Sequence, residues 1–157
     1  MTKIASGQSI IEVVIAATLI SIGMVAALSL SNYSTRQNTY AKYINQTTSY
    51  NNQAGDWLRS EKARLGWNQF AAKLTGDGGP LVTYCLPNAD LTGVDFLTLN
   101  AGNCGAANLI PNTAMTRSLS FDLGNIGNGK ISLTVTTSWT DKTTHNLSLT
   151  MEISQWK

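Results

Sequence analysis

The chain has 157 residues, a formal net charge of +2, two cysteines, and charged side chains at 13% of its positions. This length leaves room for one small domain beside a membrane segment. The weak net charge, without any run of like charges, gives no reason to expect a nucleic-acid partner. The many Thr, Ser and Asn residues favour an exported surface over a cytosolic enzyme.

A short polar leader, residues 1–7, opens the chain; it carries Lys3 and ends at Gly7. It lacks the apolar run that would make it a secretory signal by itself. If a peptidase cuts after Gly7, Gln8 becomes a free amino terminus and Glu12 becomes the fifth residue of the mature chain.

The next segment, residues 8–30, is apolar apart from one charge. From Val13 to Leu30 its only interruptions are Thr, Ser and Gly residues, and such a run can cross most of a hydrocarbon layer about 30 Å thick. Glu12 precedes the run, and a carboxylate in hydrocarbon costs several kcal/mol and is usually kept for a function. The segment is therefore predicted to be a membrane helix with a functional carboxylate.

Two partners for Glu12 follow from its spacing. The amine of a cleaved Gln8 would lie four residues away on the same helix face. Alternatively, the amine of one chain meets Glu12 of a neighbouring chain, and the need to pair a buried charge brings the two chains into register. The second arrangement explains more, because it gives the carboxylate a role in assembly.

At these residues the sequence resembles a known family. Gly7-Gln-Ser-Ile-Ile-Glu12, followed by Val-Val-Ile-Ala, is similar to the leader of type IV pilins and pseudopilins. In that family a prepilin peptidase cuts after the glycine and methylates the new amino terminus, and a glutamate is the fifth mature residue. The resemblance implies cleavage at Gly7, modification at Gln8 and an assembly salt bridge at Glu12. The family usually has Phe where this chain has Gln8, which is closer to minor pilins and pseudopilins.

The resemblance also implies a function. The chain would be a structural subunit, a minor pilin of a type IV pilus (fimbrium), without catalytic residues, cofactor or metal. Its precursor would cross the cytoplasmic (inner) membrane once, with the carboxy-terminal domain outside the cytoplasm, and would reach the cell surface after assembly. The implied partners are other pilin subunits, a prepilin peptidase, an inner-membrane assembly platform with its ATPase, and membrane lipid before assembly. One alternative is a pseudopilin of a type II secretion or DNA-uptake machine, and another is an uncleaved, membrane-anchored surface binding protein.

Beyond Leu30 the helical signal continues as an amphipathic stretch, residues 31–66. Its apolar stripe consists of Tyr33, Tyr40, Ile44, Thr47, Ala54 and Leu58. Gly66 predicts the end of this helix. Residues 67–157 are then an exported, β-rich head domain that begins with a short helix, whose Trp67, Phe70 and Leu74 are predicted core residues.

If the amino end of the membrane helix lies at the cytoplasmic face, all residues after the helix lie outside the cytoplasm, where disulfides persist. Cys85 and Cys104 are therefore predicted to form a disulfide. Closing that loop would contribute about 3 kcal/mol in the chain-entropy model. Two free buried thiols are the alternative. A zinc site is less favoured, since neither cysteine has a second ligand at metal spacing and His145 lies far along the chain.

The carboxy-terminal third shows period-two alternation in three successive stretches, which predicts an antiparallel meander with one apolar face. Leu81–Leu86 predicts an earlier strand, and Val94–Leu99 a further short one. The predicted fold class is therefore α+β, with a long helical spine, apolar and then amphipathic, packed against a small antiparallel sheet, as in pilins.

One motif suggests a different function, nucleotide binding. Gly124-Asn-Ile-Gly-Asn-Gly-Lys130 matches the first part of a phosphate-binding loop. Ile131 stands where that motif needs a hydroxyl, and the next residues alternate like a strand instead of opening a helix whose amino terminus would hold phosphate. Nucleotide binding is therefore not expected.

Overall fold

A computed structural model describes residues 10–156 of the chain. It contains one long helix, a four-stranded antiparallel sheet and three 3-10 turns, and it confirms the predicted α+β class. The elements are α1 (Ile10–Gly76), β1 (Leu81–Cys85), β2 (Met115–Asp122), β3 (Lys130–Asp141) and β4 (Thr143–Ser154), with 3-10 turns at Phe96–Thr98, Ala106–Asn108 and Ile126–Asn128.

The length of α1 follows from its sequence, since the first proline of the chain is Pro80 and proline is the residue that most strongly breaks helices. One interruption occurs at Gly66, where φ is 72° and ψ is 164°. That backbone region is essentially restricted to glycine. The helical axis is therefore broken where the sequence predicts an end, and a second helical stretch follows directly.

The chain divides into two compact units, one up to Tyr43 and one from Ile44 onward. The first is helical from Ile10. The second unit begins before the predicted head domain, residues 67–157, and contains the rest of α1 and the whole sheet. This whole unit, from Ile44 onward, is called the head from here on.

The head sheet has strand order β1-β2-β3-β4, and every neighbouring pair is antiparallel. Its register places apolar side chains in rows across the strands. One such row is Tyr84, Leu119, Val135 and Leu149. These rows face the part of α1 within the head, where Ala54 and Leu58 are fully buried.

Four aromatic rings fill the centre of the head. Phe96 stacks on Phe70 with ring centroids 4.9 Å apart, and Tyr84 and Phe121 meet it at 5.5 and 5.9 Å. Phe70 belongs to the helical stretch after Gly66 and is fully buried, as is Leu74. The predicted packing role of that stretch is confirmed.

One local prediction is wrong. Residues 94–99 do not form a strand, because Phe96–Thr98 is a 3-10 turn, in which the Phe96 amide donates to the Glu61 carboxylate and the Leu97 amide to the Asp95 carboxylate.

The segment from Gly124 to Lys130 forms a 3-10 turn that leads straight into β3. The helix that a phosphate-binding loop requires does not follow it.

Candidate functional site

The apolar part of α1 is the most unusual surface of the molecule. Every residue from 10 to 42 is exposed, including large side chains such as Ile10 (84%) and Leu28 (66%). A row of isoleucine, valine and leucine in water is unfavourable by about 25 cal/mol per Å² of apolar surface. α1 is long enough and apolar enough in this part to cross a membrane.

Two hydroxyl side chains in this segment are directed back onto the helix. The hydroxyl of Thr18 donates to the carbonyl oxygen of Ile15, and that of Ser21 to that of Ala17, both at 2.8 Å. In an apolar environment an unpaired hydroxyl costs free energy, and these bonds avoid that cost. The segment is therefore suited to lipid or to packing against other apolar helices.

Glu12 is the exception within the segment. It lies exposed in the first turn of α1, where the helix dipole favours a negative charge. Among residues 10–156 it forms no ion pair. The other two residues of the predicted cleavage and assembly motif, Gly7 and Gln8, lie outside the described residues.

Asn51 joins α1 to the sheet of the head. Its side chain donates to the carbonyl oxygen of Leu147 at 2.9 Å and accepts from the Thr137 hydroxyl at 2.7 Å. Asn51 is 2% exposed, so water cannot replace these bonds. Sequence reasoning missed this residue, because an asparagine on a helix gives no sign that it is buried.

Arg117 is a second residue that connects α1 to the sheet, and it is fully buried. Its guanidinium donates to the carbonyl oxygens of Tyr50 and Asn88 and to the side-chain oxygen of Gln53, and it lies 5.5 Å from the centre of the Tyr50 ring. Burial lowers the pKa of Arg117 to about 10. Arg117 occupies an inward position of β2, two residues from buried Leu119, and the alternation of that strand was the signal that could have revealed it.

Glu61 anchors the loop between β1 and β2. Its carboxylate accepts from Arg64 at 2.7 Å and from the backbone amide of Phe96 at 3.0 Å. The hydrogen bond from Arg64, followed by that from the Phe96 amide, holds the pKa of Glu61 below its usual value against the effect of burial. Nearby, burial and the hydrogen bond to Asp77 raise the pKa of the Tyr84 hydroxyl.

The predicted disulfide is confirmed, since Cys85 and Cys104 are bonded with their Cα atoms 5.4 Å apart. The bond pins the loop that follows β1 against the sheet. An open groove of about 620 Å³ beside it is lined by that loop, including Asn88, Asp95 and Asn100.

Residues 10–156 contain no cluster of three or more His, Cys, Asp or Glu side chains that could hold a metal ion. The imidazole of His145 contacts the hydroxyl of Thr143 at 3.1 Å and stacks on Trp139.

Comparison with known proteins gave no relative: the chain matches no protein-family profile, no curated protein and no solved structure. The long apolar helix, the small antiparallel sheet and the disulfide are together consistent with a pilin-like fold.

Proposed function

We propose that this chain is a structural subunit of a filament of the type IV pilus kind, a minor pilin that is cut after Gly7. The observation that carries the proposal is the exposed apolar helix from Ile10 to Leu30, which contains one carboxylate, Glu12, without an ion-pair partner in the described chain. As a precursor, the helix lies in lipid. In the filament, the same surface packs against helices of other subunits.

Glu12 gives this assembly its register. Apolar helices slide past one another at little cost, because one apolar contact resembles the next. A charge buried among them is different, since leaving it unpaired costs about 3 to 5 kcal/mol. A free amine at Gln8 of a neighbouring subunit would pair it, so only one axial position between two subunits satisfies both charges.

The test is Glu12→Leu in the full chain, measured as the amount recovered in sheared filaments relative to the amount in membranes. We expect recovery to fall by at least about tenfold, because the neighbour's amine then stays unpaired. Thr18→Leu is the matched control: it also removes a polar group from the segment, but the hydroxyl it removes bonds only within its own helix.

If Glu12→Leu entered filaments at the normal level, the assembly mechanism would be wrong. If the Glu12→Leu variant accumulated in membranes and the wild-type chain formed no filament either, an anchored binding protein would explain the data better. A pseudopilin shares the same assembly chemistry, and Gln8 in place of Phe suits it equally well.

A further inference from the structure

One open groove of the head is lined by two tryptophans and three side-chain amides. It lies beside the break in α1, and its volume of about 530 Å³ is within the range of about 300 to 1,000 Å³ that is usual for small-molecule sites. The tryptophans are Trp67 and Trp156, and the amides belong to Asn68, Gln69 and Gln155. None of the residues that line the groove carries a formal charge.

The fold holds both sides of this groove in place. On one side, the helical stretch that follows the break at Gly66 starts with Trp67, which packs against the core and stays partly exposed. On the other side, the Gln155 amide donates to the carbonyl oxygen of Gly129 at 2.8 Å. This bond ties the residues after β4 to the turn before β3, so that Gln155 and Trp156 form a fixed wall.

Trp156 is the residue that this arrangement leaves uncovered. It is 83% exposed, more than any other large apolar residue that the structure describes in the head. Trp139, by contrast, is 3% exposed. A covered indole removes a large apolar area from water, and an exposed one beside polar groups is typical of an interaction site. The groove therefore has an open aromatic surface with amides next to it.

The side chains of the groove indicate the kind of ligand. Each amide offers an acceptor oxygen and two N–H donors, and each indole offers an apolar face. A pyranose ring presents C–H groups on a face and hydroxyl groups around its edge, and each hydroxyl can both donate and accept. The two sets of groups are complementary. A phosphate or carboxylate ligand would instead be recognised by arginine or lysine.

Cations lie in a neighbouring groove, but most of them are already paired. That groove shares Trp156 and contains Arg59, Lys62 and Lys130. Arg59 lies 3.0 Å from the carboxylate of Asp56, and Lys130 lies 3.0 Å from that of Glu152. Each of these pairs is neutral as a whole, so the surroundings of the indole favour a neutral ligand over an acidic one.

We propose that the groove binds a neutral saccharide. A pyranose ring stacks on the exposed indole of Trp156, and the amides of Asn68, Gln69 and Gln155 form hydrogen bonds with its hydroxyl groups. Trp67 supplies a second apolar surface of the same groove. The site depends on neither Glu12 nor cleavage after Gly7, so it is tested separately from filament assembly.

Calorimetric titration of the full chain with cellohexaose, maltohexaose and chitohexaose tests the site, in a detergent without a sugar head group. We expect at least one of these saccharides to bind. Trp156→Ala should weaken that binding by at least about tenfold, and Trp156→Phe, which keeps a stacking surface, by no more than about threefold. An unchanged melting temperature verifies that the head is folded. Failure of all the saccharides to bind, or equal affinities for Trp156→Ala and the wild type, would overturn the proposal.

The amides have a matched pair of variants. Asn68→Ala removes an amide of the groove, whereas Asn52→Ala removes an exposed amide of α1 outside it. We expect Asn68→Ala to weaken binding by about threefold to tenfold and Asn52→Ala to leave it unchanged. Equal effects of the two substitutions would contradict the assigned hydrogen bonds.

Salt and ligand charge show whether the saccharide is neutral. The affinity should change by less than about twofold between about 50 and about 500 mM NaCl, because no ion pair is involved. Hexagalacturonate, an acidic oligosaccharide, should bind at least about tenfold more weakly, because no lining residue is a cation. Tighter binding of hexagalacturonate that is lost in salt would contradict the proposal. A change in the sedimentation of the full chain on Trp156→Ala would show that a second copy covers the indole, and would overturn it as well.

Discussion

The two units of the chain use the same helix in opposite ways. From Ile10 to Lys42 every residue of α1 is exposed, although this part contains the most apolar sequence. From Ile44 onward the helix is more polar, yet it buries a stripe that includes Thr47, Asn51 and Glu61. Burial within the chain thus does not follow hydrophobicity. The apolar part leaves its side chains exposed, whereas the sheet covers the more polar part.

The largest expected difference between the two units comes from one substitution made in both. Leu58→Ala in the head should lower the free energy of unfolding by about 2 to 5 kcal/mol, because it leaves a cavity beneath the sheet. Leu19→Ala in the exposed part should change it by less than about 0.5 kcal/mol. Tryptophan fluorescence during urea unfolding in detergent measures this, since all four tryptophans belong to the head. Equal effects would contradict the difference in burial between Leu58 and Leu19.

A smaller contrast is expected between two adjacent asparagines. Asn51→Leu should cost about 1 to 3 kcal/mol, because it leaves the buried Thr137 hydroxyl and the partly buried Leu147 carbonyl without this partner. Asn52→Leu, on the exposed side of the same turn, should stay within about 0.5 kcal/mol. The same unfolding assay compares them. Similar losses of unfolding free energy would show that the hydrogen bonds of Asn51 to the sheet do not stabilise the head.

The smallest expected effect is a dependence on pH. The pKa of Glu61 is lower in the folded head than its ordinary value near 4.5, so its stabilising contribution is complete above that value. It is lost as the pH falls through the lower, folded pKa. Glu61→Gln should therefore cost about 1 kcal/mol at pH 7 and progressively less in acid. Melting temperatures between pH 7 and pH 3 measure this, and parallel curves for both proteins would contradict it.

Sequence reasoning captured the parts of the fold that depend on periodicity. The alternation in the last third predicted the meander, and Gly66 marked the break in α1. It failed where a single side chain decides the structure. The Asp95 carboxylate holds the Leu97 amide in the 3-10 turn at residues 96–98. Arg117 is buried because oxygen atoms from two segments, α1 and the loop after β1, accept its hydrogen bonds. Such contacts join residues distant in the chain, which no local pattern records.

The candidate site could be predicted from the sequence for a different reason. The predicted membrane helix depends only on a continuous apolar run, and Glu12 stands out because it interrupts that pattern. The sequence did not reveal which strand of the meander β1 would join. In the structure it pairs with β2, which leaves β4 at the end of the sheet.

The most direct test of the central claim is the mass of the amino-terminal peptide from the protein in its native membrane or filament fraction. The account predicts a peptide that begins at Gln8, since cleavage after Gly7 creates the amine that pairs with Glu12. One additional methyl group on that amine would show that Gln8 is modified. A peptide that begins at Met1 or Thr2 in the mature protein would leave Glu12 without this amine, and the account would be contradicted.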